Sequence, residues 1–291
     1  MSLPRIGVVI VTMGTRPREL AALLDSVEKQ DVPAARVVLV GNATPLTEIT
    51  TDVTKIPLEQ NLGCPGGRNV GLTVLRDSGE IDVVIELDDD GLLIADDVFR
   101  TVRQLFAQDP KLGIIGFRVA DEQGRTERRW VPRLRVDDPM RRGLVTAFLG
   151  GGHAFSVPML HQTGLWPAEF FFGHEESDLA WRALDAGWKI LYEPELVLQH
   201  PRTSPARHPA HYRFTARNRV WLARRRLPIP LVPVYLGAWI VLTTARARSL
   251  AGLKAWWGGF VEGVRTPCGP RKAMKWRTVW RMTRLGRPPI L

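Results

Sequence analysis

Three consecutive aspartates, Asp88-Asp89-Asp90, stand directly after the apolar run DVVIEL. Such a run reads as a buried strand, and in open α/β sheets ligands gather outside the carboxyl ends of strands. Acids crowded there repel one another until something neutralises them. Carboxylate oxygens suit a hard divalent cation, Mn2+ or Mg2+, which in turn can neutralise a diphosphate. Taken alone, the triplet also fits a solvated turn that caps a helix starting near Ala95.

A second cluster is NLGCPGGRNVG, with Asn61, Gly63, Gly66, Gly67, Arg68, Asn69 and Gly71. Glycines let a backbone approach a ligand closely, and the helix behind them offers its N-terminus to an anion. Arg68 suits a phosphate. The spacing is neither that of the P-loop nor that of the dinucleotide fingerprint, so a glycine-rich turn is the competing reading. A third cluster is FFFGHEESDLAWRALDAGW, where Glu175, Glu176 and Asp178 crowd the start of a helix beneath three phenylalanines. The helix dipole favours acids at that end, which accounts for one or two of them. A carboxylate desolvated by aromatics gains proton affinity, as a general base requires. His200, at the end of YEPELVLQH, is a candidate metal ligand or a structural histidine.

The elements that must position these residues alternate between strands and helices. Strands are expected at Ile6–Val11, Arg36–Val40, Val53–Pro57, Asp82–Leu87 and Gly113–Val119, with helices at Pro17–Lys29, from the glycine-rich stretch to about Ser78, and at Ala95–Gln108. That order implies a mostly parallel sheet with helices on both faces. Further on, short strands are expected at 153–157, 189–192 and 196–199, and a helix from Glu176 to Ala186. The stretch Pro201–Pro209, rich in Pro, Arg and His, reads as a boundary. It divides the chain into residues 1–200 and a mainly helical region 201–291, which opens with a basic helix over Arg213–Leu227.

The 291 residues are ordinary in composition, 45% hydrophobic and 24% charged, which argues against a disordered, collagen-like or coiled-coil chain. Two cysteines, Cys64 and Cys268, fit neither a zinc site nor a disulfide framework, and a reducing compartment is expected. No secretory leader is readable in MSLPRIGVVIVTMG. The net charge of +10 is unevenly spread: residues 1–200 carry a net −8 and residues 201–291 a net +18, with Glu262 the single acid in the latter. Six of the ten tryptophans lie there too. A basic, Trp-rich region of this kind suits an anionic surface. The uncharged run from Leu227 to Ala245 has Pro228, Pro230 and Pro233 at its start, so its helical part is too short to span a membrane and reads as interfacial or core.

The ordered set VIVTMGTRP, VLVGNAT, NLGCPGGRNVG, LDDDG, GGGHAFSV, HEESDLAWRALDAGW and His200 resembles the family 2 inverting glycosyltransferases over about residues 5–226. The segment RNRVWLARRRLP is similar to the bacterial rhamnosyl- and galactofuranosyl-transferase-like branch. The resemblance implies an α/β fold of GT-A type, a nucleotide-diphospho-sugar transferase fold with a mostly parallel mixed sheet flanked by helices. It also implies a nucleoside-diphosphate-sugar donor, UDP- or dTDP-linked, and a divalent cation.

By that resemblance, Thr12, Arg16 and Asn42 hold base and ribose, although Gly41 stands where many relatives carry an acid. Asn61, Gly63, Gly67, Arg68, Asn69, Asp88 and Asp89 line the donor. Asp88, Asp90 and His200 hold the metal, with Asp90 the direct ligand. Glu176 takes the place of the catalytic base, one methylene longer than the usual aspartate, with Glu175 and Asp178 as competitors. The implied reaction moves a sugar, with inversion, to an acceptor hydroxyl of a glycan, lipid-linked glycan or small molecule. The expected location is cytoplasmic, with peripheral contact on the inner face of an anionic membrane. No nucleic acid is expected as a partner, and a homo-oligomer stays open. The competing readings are a non-catalytic nucleic-acid- or glycan-binding relative and a sugar nucleotidyltransferase.

Overall fold

Side-chain alternation along β1 (Ile6–Thr12) sets the layering. Val8 and Ile10 point to one face, into a core with Leu20, Leu23 and Leu24 of α1 (Pro17–Glu28). Val9 points to the other, into a second core with Leu72 and Leu75. A strand buried on both faces reads as a continuous apolar run, which IGVVIV is. The structure is a computed structural model and describes residues 3–134, 138–202, 210–247 and 249–290. Most of the expected boundary at 201–209 therefore lies outside the described residues.

The chain continues through β2 (Arg36–Gly41), β3 (Thr54–Pro57), α2 (Gly63–Asp77), β4 (Val83–Asp88), β5 (Leu92–Leu93), α3 (Val98–Gln108) and β6 (Leu112–Ala120). It goes on with β7 (Gly143–Leu144), β8 (Gly152–Ser156), α4 (Val157–Thr163), α5 (Glu175–Asp185) and β9 (Lys189–Gln199). Four helices complete it: α6 (His211–Arg226), α7 (Leu231–Ala245), α8 (Leu250–Arg265) and α9 (Trp276–Arg284). The sheet runs β3-β2-β1-β4-β8-β6-β9-β5, and β7 pairs with β9. The neighbours β3, β2, β1 and β4 are parallel, β8 is antiparallel to both β4 and β6, and β6 and β9 are parallel again. This is the mixed sheet expected, with α1 and α3 packing on one face and α2, α4 and α5 on the other.

Two expectations change in detail. The glycine-rich stretch does not precede a helix; Gly63, Gly66, Gly67 and Gly71 lie within α2. The reason is helix-on-sheet distance: a Cβ at Gly71 would stand 2.7 Å from Val9 Cγ1. The short strands at 189–192 and 196–199 are one strand, β9. Its register to β6 jumps at Phe117/Arg118, so that Glu193 and Val197 face neighbouring partners and the residues between them bulge.

The C-terminal region is helical, and its first helix belongs to the main core. Trp221, Leu222, Ala223 and Leu227 are buried with Leu179, Ala180 and Ala183 of α5. α7 has 15 residues, a length of about 22 Å at 1.5 Å per residue. Among the described residues no helix is long and apolar enough to cross a membrane.

Candidate active site

β1 and β4 are parallel neighbours, so their carboxyl ends lie side by side, Val11 opposite Asp88. The segments that leave the two strands therefore meet. Thr12 donates its hydroxyl to Asp89 Oδ2 at 2.7 Å. Arg16 Nη1 lies 3.3 Å from Asp89 Oδ1 and 2.5 Å from Asp90 Oδ2. β9 ends at Gln199, paired with Leu92, which brings His200 to the same edge. Its Nε2 lies 3.1 Å from Asp90 Oδ1, and its Nδ1 faces the Pro201 carbonyl at 2.8 Å. The ligand atoms of Asp88, Asp90 and His200 all lie within 4.8 Å of one another. The triplet is not the cap of the next helix: α3 begins at Val98, eight residues beyond Asp90.

These residues fit a divalent cation. Two carboxylates and an imidazole are a donor set that Mn2+ or Mg2+ accepts. The Pro201 carbonyl engages Nδ1, leaving Nε2 as the ligating nitrogen, the outer contact that metal-binding histidines commonly make. Burial favours a neutral Asp90, yet the His200 hydrogen bond and the Arg16 charge hold it below the usual carboxylate range.

Arg68 projects from α2 into the same region. It is buried, and its Nη2 donates to Asp88 Oδ1 at 2.5 Å and to the Gly150 carbonyl at 2.6 Å. Its Nη1 is buried and has no partner among the described residues. Gly150 and Gly151 form the wall between the two halves of the site. A Cβ at Gly150 would stand 2.5 Å from Glu176 Oε1, and one at Gly151 3.4 Å from Asp88 Oδ2. Two consecutive residues without side chains thus let Glu176 approach the aspartates from the other side of a single backbone thickness. His153 anchors this loop, with Nε2 2.7 Å from Glu86 Oε2 and Nδ1 3.0 Å from the Leu149 carbonyl.

The acids of α5 separate by environment. Asp178 is fully buried and bound by Arg182 Nε at 2.8 Å and Arg226 Nε at 2.6 Å. Both oxygens are taken by guanidinium groups, so its candidacy as base is corrected: it is a structural ion pair that joins α5 to α6. Glu176 is partly exposed, and burial pushes its carboxyl above the usual range against the pull of Arg68.

Glu175 is buried, and its Oε2 lacks a partner among the described residues. Burial, then the Glu176 charge, raises it from 4.5 to about 8. Between those values the folded chain keeps a proton that the unfolded chain has released. The stability contributed is complete below 4.5 and is lost as pH rises through about 8. Glu175→Gln cannot ionise, so its melting temperature is expected to gain on the parent's from about pH 4.5 to about pH 8 and to level off above that. A difference that stays flat with pH would count against the buried, protonated Glu175.

The turn before α5 is strained. Phe171 and His174 both have positive φ, 63° and 70°, a conformation that costs non-glycine residues of order 1–3 kcal/mol each. It is held from α6: the Asn218 amide reaches the carbonyls of Phe170, Phe172 and Gly173 at 2.8–2.9 Å, and Arg217 Nη2 donates to Phe170 O at 2.9 Å.

Other expected donor contacts turn inward. Asn42 Nδ2 donates to Asn61 Oδ1 at 3.0 Å, and its Oδ1 accepts from the Leu62 amide. Asn61 Oδ1 also accepts from the Gly63 amide. The Cys64 amide donates to Phe171 O, so the first donors of α2 are spent within the protein rather than open to an anion. Gly63 backs onto Phe171, and Gly67 onto Val11 and Asn42. Asn69 exchanges two hydrogen bonds with the Trp166 backbone and braces the fold. Thr12, Arg16, Arg68, Asp88, Asp89, Asp90 and His200 remain joined by hydrogen bonds and ion pairs at the carboxyl ends of β1, β4 and β9, with Glu176 beside Gly150. The glycine pair at 150–151 and the Asn218 brace were not singled out from sequence. GGGH was a signal for the first, and nothing local announces the second.

Residues 8–160 match the family Glycosyl transferase family 2. No curated protein sequence matches the chain. Among solved structures it is similar to GalNAc-T7 with UDP, GalNAc and Mn2+, at 17% identity and TM-score 0.63, over 88% of this chain and 54% of that one. It is also similar to residues 1–349 of S. aureus TarS in complex with UDP-GlcNAc, at 14% identity and TM-score 0.63, over 90% and 81%. A third is the mannosyltransferase PcManGT from Pyrobaculum calidifontis in complex with GDP-Man and Mn2+, at 20% identity and TM-score 0.52, over 98% and 85%. At such identities the likeness is one of fold, and the chain spans about half the length of the GalNAc-T7 chain. The family match runs from β1 to α4, more than half of the 291 residues, and takes in the acidic triplet and the glycine pair. By its sequence over that span, the chain belongs to glycosyl transferase family 2.

Proposed function

We propose that the chain transfers a sugar, with inversion, from a nucleoside-diphosphate-sugar to an acceptor hydroxyl. The observation that carries this reading is the convergence of Asp88, Asp90 and His200 within 4.8 Å, with Glu176 beside Gly150 and Asp88 beside Gly151. Asp88, Asp90 and His200 would hold a divalent cation, which would supply charge neutralisation for a leaving diphosphate. Arg16 and Arg68 add fixed positive charge beside it, aimed at the same developing anion. Thr12 orients Asp89 at the rim. Glu176, with its raised proton affinity, takes the proton of the acceptor hydroxyl. One carboxylate base suffices, and no covalent enzyme intermediate is formed. The similar structures bound to UDP, UDP-GlcNAc or GDP-Man support a nucleotide-sugar donor.

The test is a thermal-shift screen of nucleoside diphosphates and their sugars with and without Mn2+, followed by product analysis. Binding raises the melting temperature by mass action. Release of free nucleoside diphosphate and an inverted anomeric carbon are expected. Pyrophosphate release would instead indicate a nucleotidyltransferase, and retained configuration would overturn the single-base mechanism.

The C-terminal helices support a second part of the reading, contact with an anionic membrane surface. α9 buries Thr278, Val279 and Met282 and turns Trp276 and Trp280, 49% and 63% exposed, outward among basic residues. α8 exposes Leu250, Trp257, Val261 and Val264, and α7 buries only Tyr235. Each Lys or Arg near an anionic leaflet is worth about 1 kcal/mol, and aromatic side chains suit the interface. The full chain is expected to sediment with phosphatidylglycerol vesicles and not with phosphatidylcholine ones. Trp276→Ser with Trp280→Ser should weaken that binding several-fold. Equal sedimentation of parent and double variant would refute the assignment.

A further inference from the structure

Four arginines of α6 are buried, Arg217, Arg219, Arg225 and Arg226. Three have an acid: Arg217 lies 3.5 Å from Glu262, Arg226 2.6 Å from Asp178, and Arg225 pairs with Glu169. Arg219, 8% exposed, has none within 4 Å among the described residues. Its guanidinium stacks 3.5 Å over the Trp239 ring, and its Nη2 faces His174 Nε2 at 3.2 Å. A buried cation without a counter-charge is costly, and a ring face offsets only part of that cost.

Arg219 lines a cavity of about 100 Å³ together with Thr146, His174, Ser177, Trp239 and Arg287. Three buried polar atoms on its lining residues have no partner among the described residues: Arg219 Nε, Trp239 Nε1 and Thr146 Oγ1. Arg287 likewise has no acid within 4 Å among the described residues. The lining is therefore rich in donors and poor in negative charge. His174 reports the same field, since burial and then the charges of Arg219, His211 and Arg287 hold it well below the usual imidazole value.

We propose that this cavity binds a phosphate group and, resting on the transferase reading above, that the acceptor carries it. These donors match the several oxygens of a phosphate, which accept from guanidinium, indole and hydroxyl alike. The volume suits one such group. Its place ties it to the acceptor: Ser177 comes directly after Glu176, and Thr146 opens the segment that leads to Gly150 and Gly151. A phosphate seated there fixes its carrier beside Glu176, with a hydroxyl free to reach that carboxylate.

The test uses the full chain at constant ionic strength, with chloride as the reference. Inorganic phosphate and glycerol 3-phosphate are each expected to raise the melting temperature by about 2–4 °C at several times their Kd. Arg219→Gln and Arg287→Gln should lose most of that rise. Arg287 is only partly buried, so its variant keeps the test open if Arg219→Gln does not fold. No rise in the parent, or an equal rise in both variants, overturns the site. Phosphatidylglycerol vesicles separate the sources: the parent and Arg287→Gln should bind them equally. Loss of vesicle binding by Arg287→Gln, with no response of the parent to glycerol 3-phosphate, would make the ligand a lipid headgroup and overturn the acceptor assignment. Mn2+-dependent nucleotide binding is measured on the same samples and should be unchanged by Arg287→Gln; its loss there would place the cavity on the donor and overturn the proposal. Absence of nucleotide binding in the parent, with the phosphate response intact, defeats the transferase reading and not the cavity.

Discussion

Glu176→Gln is expected to lower turnover by roughly 10²–10⁴-fold while leaving Mn2+-dependent nucleotide binding intact. The exchange keeps size and shape at a position that stands against Gly150, so the packing beside that backbone is unchanged. It removes only the proton acceptor. Glu175→Gln should cost less, because Glu175 is buried and its Oε2 has no partner among the described residues. Asp178→Asn should act differently again, through stability, by taking the charge from between Arg182 and Arg226. Measuring kcat beside nucleotide affinity and melting temperature separates the three effects. A parent-like rate in Glu176→Gln with a dead Glu175→Gln would show that the base had been misassigned.

Asp90→Asn is expected to cost at least about 10–100-fold in turnover and to abolish the Mn2+ dependence of nucleotide binding. Asp90 is the shared centre of the cluster: His200 and Arg16 both pair with it. An amide leaves the fold intact but removes the charge that the cation, the histidine and the arginine all use. His200→Ala should weaken metal binding less, since both carboxylates remain. Near-normal rates for Asp90→Asn in chelator-treated buffer would remove the metal from the mechanism.

The parts of this arrangement that sequence could reveal are those set by local pattern. Strands and helices track apolar period, so β1, β2, β4, α1 and α5 stand within a residue or two of their expected limits. The acidic triplet was legible because a strand end in a parallel sheet is a predictable place. The features that escaped depend on partners far along the chain. Asp178 reads like Glu175 and Glu176 until Arg226 is folded against it, 48 residues later. Asn69 reads as a ligand contact until Trp166, 97 residues away, occupies it. The α2 glycines suggested a phosphate loop because close approach to a ligand and close approach to a sheet need the same missing Cβ. Only the identity of the neighbour, here Val9 and Val11, tells them apart.

The clasp that α6 places on the turn before α5 has a consequence for how the protein is made. Synthesis proceeds from the N-terminus, and every side chain of the proposed cation site exists once His200 has been added. The turn that aims Glu176 does not settle then, because its carbonyls wait for Asn218 and Asp178 waits for Arg226. The far end of α5 waits longer still, for Thr278 to reach Asp185. At 5–20 residues per second, those last residues arrive about 4–16 s after His200. The nascent chain thus has its proposed metal ligands before it has an oriented base, and a ribosome that stops at residue 200 releases a polypeptide with the former and without the latter.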